Sequence, residues 1–158
     1  MEKTAAEAAA EVDLGVLKDV IGFRIRRIQN HLSRRFLEKI TDKQLRPGGF
    51  SALALIAANP GLDQTTLARE IGFDKATVVA LLDGLEGLGW AERRRQTEDR
   101  RRHALFVTAK GQEALERLSR LAQENEAAVH AALSAAEQAQ LYALLDKIYA
   151  ACFSEPDL

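Results

Sequence analysis

Ten consecutive residues, RRRQTEDRRR at positions 93 to 102, hold six arginines against Glu98 and Asp99, a local balance of +4 in a 158-residue chain whose formal net charge is −1. Each guanidinium presents its N–H donors in a flat fork that fits the paired oxygens of a phosphate. The first thirteen residues carry Glu2, Glu7, Glu11 and Asp13 against Lys3, so positive charge is gathered at one place. Such focusing suits contact with a polyanion. It equally suits a solvated arginine-rich loop, and the flanking elements must decide between the two.

Those elements are two short strands. Trp90–Arg95 and His103–Val107 have strand composition, the second apolar and partly β-branched, and the loop between them, Gln96 to Arg102, is long enough to project. Ahead of this hairpin stands a pair of short helices with well-marked ends. Asp63 occupies an N-cap position with Leu62 before it and Leu67 four residues after, the spacing of a hydrophobic staple. The helix Gln64–Ile71 ends at Gly72, and Asp74 repeats the device between Phe73 and Val78 for a second helix from Lys75 to about Leu88, closed by Gly89.

Ala68, Gly72 and Val78 together separate this pair from an arbitrary helical hairpin. They supply a small residue where the helices touch, a residue free to turn left-handed, and a branched apolar anchor beneath the second helix. The outward face of the second helix then shows Lys75, Ala76, Thr77, Val79, Ala80, Asp83 and Gly84. A helix-turn-helix followed by a basic hairpin is the arrangement of a winged DNA reader, with Lys75, Ala76, Thr77 and Val79 placed to meet base edges in the major groove. An arginine at the hairpin tip can enter the narrow minor groove, where the negative potential is strongest. Arg101 is assigned that role, and Asp99 that of accepting from a wing arginine to hold the tip in shape. Arg93 and Arg94 on the rising strand contact phosphates or brace the wing, and Arg102 does either.

The flanking segments are long and amphipathic. Leu14, Leu17, Ile21, Ile25, Ile28, Leu32 and Phe36 recur at three- and four-residue steps, which predicts one helix from about Leu14 to Ile40 with Asp13 as its N-cap. Pro47, Gly48 and Gly49 break the pattern before a buried helix over Phe50 to Ala58, stopped by Asn59, Pro60 and Gly61. After the hairpin, Thr108 caps a helix whose apolar positions are Leu115, Leu118, Leu121, Val129 and Leu133. Ser134 to Glu137 form an S-x-x-E capping box ahead of a last helix with the stripe Leu141, Leu144, Leu145, Ile148 and Tyr149. Stripes this long in so small a chain imply a partner helix from a second copy.

From Leu62 to Gly111, the run LAREIGFDKATVVALLDGLEGLGWAER followed by DRRRHALFVTAKG resembles the MarR family of bacterial transcriptional regulators. Asp99, Arg100 and Arg101 are similar to that family's wing signature, and the flanking helices resemble its dimerisation region. The resemblance implies a fold that is mainly α with a small β-hairpin wing. A single MarR-like domain would span 1–158, with a winged helix-turn-helix DNA-binding region at 47–108 and a helical dimerisation region at 14–42 and 109–153. It further implies a homodimer, in most such cases a repressor, on a pseudo-palindromic double-stranded DNA operator. Twofold symmetry would set half-sites about one helical turn, roughly 34 Å, apart. The chain departs from the family at Ala80 and Gly84, where many relatives carry a basic residue, and this moves weight from the recognition helix to the wing.

MarR-like proteins commonly release DNA when a small molecule binds between the dimerisation helices and the winged region. The resemblance places Arg27, Asn30, His31, Arg34 and Phe50 in that cleft, the arginines pairing with a carboxylate or with the phosphates of an acyl-CoA. The effector classes it suggests are an aromatic acid, a phenolic compound, an aldehyde or a CoA thioester. On residue type alone, a lone histidine and scattered arginines on a long helix suit a solvated or interface face better. The first-helix run GFRIRRIQNHLSRRF is also similar to regulators of aromatic-compound catabolism.

Other chemistries find little footing. The chain has one cysteine, Cys152, beside Phe153, which reads as a structural thiol. His31, His103 and His130 fall on three different elements without metal-ligand spacing. No nucleophile–base pair or glycine-rich phosphate loop is spaced for an enzyme, and no cofactor is expected. The remaining alternatives are a winged helix that binds a protein partner and a regulator without an effector. At 47% hydrophobic and 28% charged residues, with no apolar run of membrane-spanning length and no signal sequence, the chain is expected to be cytoplasmic with no membrane partner.

Overall fold

The structure is a computed structural model that describes residues 12–42, 45–95 and 103–153. Among these residues the chain forms six α-helices and a three-stranded antiparallel sheet, in the order α1 (Ile21–Lys39), α2 (Gly49–Ala58), β1 (Leu62–Asp63), α3 (Gln64–Ile71), α4 (Lys75–Gly87), β2 (Ala91–Arg95), β3 (His103–Val107), α5 (Ala109–Ala131) and α6 (Ala135–Phe153).

The helix ends follow from side-chain chemistry. Asp63 accepts from the backbone N–H groups of Thr65 and Thr66 at 2.9 and 3.0 Å and so starts α3. Gly72 ends α3 at φ 74°, a left-handed conformation that a side chain would strain. Asp74 restarts the chain as α4 by accepting from Thr77 N at 2.8 Å. Thr108 caps α5 through Gly111 N and also donates its hydroxyl to Gly89 O at 2.6 Å, joining that helix to the turn after α4. Ser134 and Glu137 form the reciprocal capping box of α6.

The core lies where α2, α3, α4 and α5 meet the sheet, with Leu53, Ile56, Leu67, Val78, Leu82 and Leu105 fully buried. β3 is the central strand, pairing Leu105 with Leu62 of β1 on one side and with Arg93 of β2 on the other. The two-residue β1 was not expected from the sequence. Trp90, expected in the rising strand, lies just ahead of it, where its buried side chain closes the core and its carbonyl accepts from Thr108 N at 3.0 Å. Gly111 fits directly against that carbonyl: a Cβ there would stand 1.9 Å from Trp90 O.

The first expected helix is broken. Residues Gly15–Asp19 form a separate 3-10 turn, Val20 is extended, and α1 begins only at Ile21. Asp13 does not cap α1: it accepts from Gly15 N at 3.1 Å and pairs with Lys18 at 2.7 Å beside that turn, whose N-cap position is Leu14. Val20, at φ −95° and ψ 101°, is where the predicted continuous helix breaks. Cys152, read from the sequence as a structural thiol, is exposed in the single chain. No helix of the described residues is long and apolar enough to cross a membrane.

Candidate nucleic-acid interface and adjoining cleft

The outer end of α4 is built by its cap. Lys75, Ala76 and Thr77 occupy its first turn and are exposed, while Val79 is half-buried. Thr77 is already partly committed: its hydroxyl donates to Asp74 Oδ2 at 2.6 Å, leaving its methyl group and its oxygen lone pairs to face a partner. The hydroxyl and backbone N–H of Thr77 hold the Asp74 carboxyl below the usual carboxylate range. Lys75 is the one cation on this first turn, and the helix N-terminus adds a partial positive charge behind it.

Arg93 turns out to be a brace. Its backbone N–H donates to Glu86 Oε1 at 2.8 Å, its Nε to Glu86 Oε2 at 3.0 Å, and its Nη2 reaches both Glu86 and Asp83. Glu86 and Asp83 lie on α4, so the recognition helix and the first wing strand are clamped by one side chain. The Arg93 guanidinium holds the Glu86 carboxyl below its ordinary value, and the two carboxylates raise the pKa of Arg93. Arg94 faces the other way, pairing with Glu92 and lying over the Phe106 ring at 4.3 Å. It keeps much of its surface open to an approaching phosphate, 61% of the side chain being exposed. Asp99, Arg100, Arg101 and Arg102 lie outside the described residues.

Behind the reading surface, α1, α2, α5 and the α3–α4 turn enclose a cavity of about 610 Å³. Phe36, Phe50 and Phe73 furnish its aromatic wall, and Arg46 and Glu126 also line it. The Phe36 and Phe50 rings are tilted against one another, with centroids 5.5 Å apart. Gly48, at φ 83°, lets Phe73 come close; a Cβ there would meet that ring at 2.5 Å. Phe73 is also the residue immediately before Asp74, so the cavity wall runs straight into the cap of α4.

Of the five residues that the sequence placed in this cleft, Phe50 lines the cavity. Arg27, Asn30, His31 and Arg34 do not. At about 100° per residue they fall on the face of α1 opposite to Gln29, Leu32, Ser33 and Phe36, and all four are exposed. Arg27 instead lies 5.8 Å from the Phe23 ring. The cavity residues that sequence reasoning missed are Phe36, Arg46, Phe73 and Asn125. The stripe of the helix after the wing carries a signal for the last of these: it takes a step of eight from Leu121 to Val129, and Asn125 stands midway.

Known proteins share this architecture. The sequence profile of the MarR family matches residues 45–102. The putative transcriptional regulatory protein for the hcr operon of Thauera aromatica is 34% identical over 148 residues, covering 93% of this chain and 89% of that protein. The transcriptional repressor CouR bound to a 23-mer DNA duplex superposes with a TM-score of 0.77 at 35% identity, over 89% of this chain and 99% of CouR. CouR bound to p-coumaroyl-CoA gives 0.74 at 34% identity, over 88% and 98%. With the capped α3–α4 pair, the wing strands and these likenesses together, the chain belongs to the MarR family of DNA-binding winged-helix transcriptional regulators.

Proposed function

We propose that the protein is a homodimeric repressor, released from a pseudo-palindromic operator when an aromatic compound, carried as its CoA thioester, occupies the cleft behind α4. The observation that carries this reading is the position of the cavity: an aromatic-walled space within the usual ligand-pocket range of about 300–1,000 Å³ shares Phe73 with the entry to the recognition helix. A flat aromatic acyl group packs against such rings, and Arg46 supplies a cation for the anionic remainder of the ligand. The complex of the similar repressor CouR with p-coumaroyl-CoA supports the ligand class.

Dimerisation is supported by the uncovered apolar faces. Ile21, Ile25 and Ile28 of α1 are exposed, as are Leu144, Leu145, Ile148 and Phe153 of α6, and no residue of either helix is buried. A monomer would leave this surface in water. The dimer presents two α4 helices and two wings to one face of the duplex.

The test is fluorescence anisotropy of the protein on the DNA upstream of its own gene, with and without aromatic acids, their aldehydes and their CoA thioesters. The expected result is salt-sensitive binding that a thioester reverses at micromolar concentration while the free acid does not. Binding unaffected by every compound would reject the effector while leaving DNA recognition intact.

A further inference from the structure

The cavity wall contains an unusual polar group. Asn125 on α5 is 5% exposed and lines the cavity. Its Nδ2 donates to Leu32 O of α1 at 2.9 Å. Only the nitrogen of the amide can donate to a carbonyl, so this bond fixes which way the side chain faces. Asn125 Oδ1 is then left sealed from water with no hydrogen-bond partner, the one side-chain atom so placed among the described residues.

A buried acceptor without a donor costs free energy that an apolar side chain would avoid. A leucine here would have continued the stripe of Leu118 and Leu121 at the next helical step. The other polar groups of the nearby wall do not relieve it, since Gln29 Nε2 on α1 donates to Ser33 Oγ at 2.9 Å. The missing partner must be a donor small enough to enter the seam between α1 and α5. A hydroxyl on the edge of a flat ring is a donor of that kind, reaching Oδ1 when the ring packs beside Phe36 and Phe50 and parts the seam.

We propose that Asn125 is a specificity-determining residue that makes the cleft select ring-hydroxylated aromatic effectors over their unsubstituted analogues, the hydroxyl donating to Asn125 Oδ1. The proposal rests on the effector reading above and sharpens it. A site that hydrogen-bonds a ligand hydroxyl discriminates against the ligand lacking it, because the analogue leaves a buried polar group unpaired.

The test is calorimetric titration of the full-length protein with 4-hydroxycinnamoyl-CoA, cinnamoyl-CoA and 4-methoxycinnamoyl-CoA. The expected result is that the hydroxylated thioester binds about ten- to a hundredfold more tightly than the other two, since the methoxy compound keeps the oxygen and loses the donor. Asn125→Leu should bring all three within about twofold, chiefly by tightening cinnamoyl-CoA, and Asn125→Ser should lie between. Equal binding of the three compounds by the unaltered protein overturns the role of Asn125 while leaving the effector reading in place; this holds whether or not the variants fold. No binding of any of the three by a protein that still binds DNA rejects the thioester reading itself, and this proposal with it.

Discussion

Replacing Glu86 by alanine sets two effects of the Arg93 clamp against each other. The substitution removes one negative charge from the reading face and frees part of the Arg93 guanidinium, which by charge alone would tighten DNA binding. At about 10 Å from a phosphate, roughly one screening length at 0.1 M salt, a unit charge in water is worth about 0.4 kcal/mol before screening and less after it. Against this stands the loss of the three hydrogen bonds that Glu86 accepts from Arg93. A hydrogen bond to a charged group contributes about 1.5–3 kcal/mol, and the third of Glu86 that is open to water lets solvent replace part, leaving about 1–2 kcal/mol overall. Bracing therefore outweighs charge. Glu86→Ala is expected to lower Tm by about 3–6 °C at fixed protein concentration and to weaken operator binding about three- to tenfold, because the wing must then be ordered on the DNA. Glu86→Gln makes the same change in charge but keeps an acceptor for Arg93 N, and should fall between the two proteins in affinity. Anisotropy at two salt concentrations, with thermal unfolding alongside, measures both. Tighter binding by both variants to the same degree would refute the brace and leave the charge argument standing.

Acid should loosen the same construction. The carboxyls of Asp74, Glu86 and Glu137 are all held below their ordinary values by hydrogen bonds, so their contributions are complete above the unfolded carboxylate range near about pH 4 and are lost as pH falls through the lower folded values. Tm read across pH should be level from 7 to about 5 and drop below about 4, and an unchanged Tm at pH 3 would contradict the capping roles. Gly111→Ala drives a Cβ into Trp90 O and should cost more than about 2 kcal/mol in chemical denaturation. Thr108→Val removes a helix cap and the bond to Gly89 O, and about 1–2 kcal/mol is expected by the same measurement. Leu144→Glu places a charge on the uncovered face of α6, and light scattering should find monomers with operator affinity sharply reduced; a stable dimer would send the interface elsewhere.

What could be read from the sequence was whatever is decided within a few residues. Asp63, Asp74, Thr108 and Ser134 each cap the helix that follows them, and Gly72 takes the left-handed turn, because a cap is a local contest between one side chain and the nearest free N–H groups. The break ahead of α1 is not legible because a stripe of apolar residues continues through Leu14 and Leu17 whether or not the backbone does, and nothing in the side chain of Val20 marks it as the extended residue. The two-residue β1 is too short to show any alternation. The cavity is legible only in part for a different reason: polar residues of the first helix draw the eye as ligand contacts, whereas the cavity follows the apolar face that holds Phe36. The partners of Arg93 lie seven and ten residues upstream, across the turn at Gly89, and only the angle of that turn brings them together.

If the proposed effector occupies the cleft, the place of Phe73 divides it into two kinds of wall for anyone altering that ligand. Residues of α1 and α5, such as Gln29 and Ala122, can be exchanged to reshape the cavity without touching the recognition helix. Phe73 differs: its ring sits over Gly48, and the next residue is the cap of α4, so under the proposed function a change of taste made there would also be a change in how the protein holds DNA. Natural variation and laboratory selection for new effectors should accordingly collect on the helical side of the cavity and leave the turn alone.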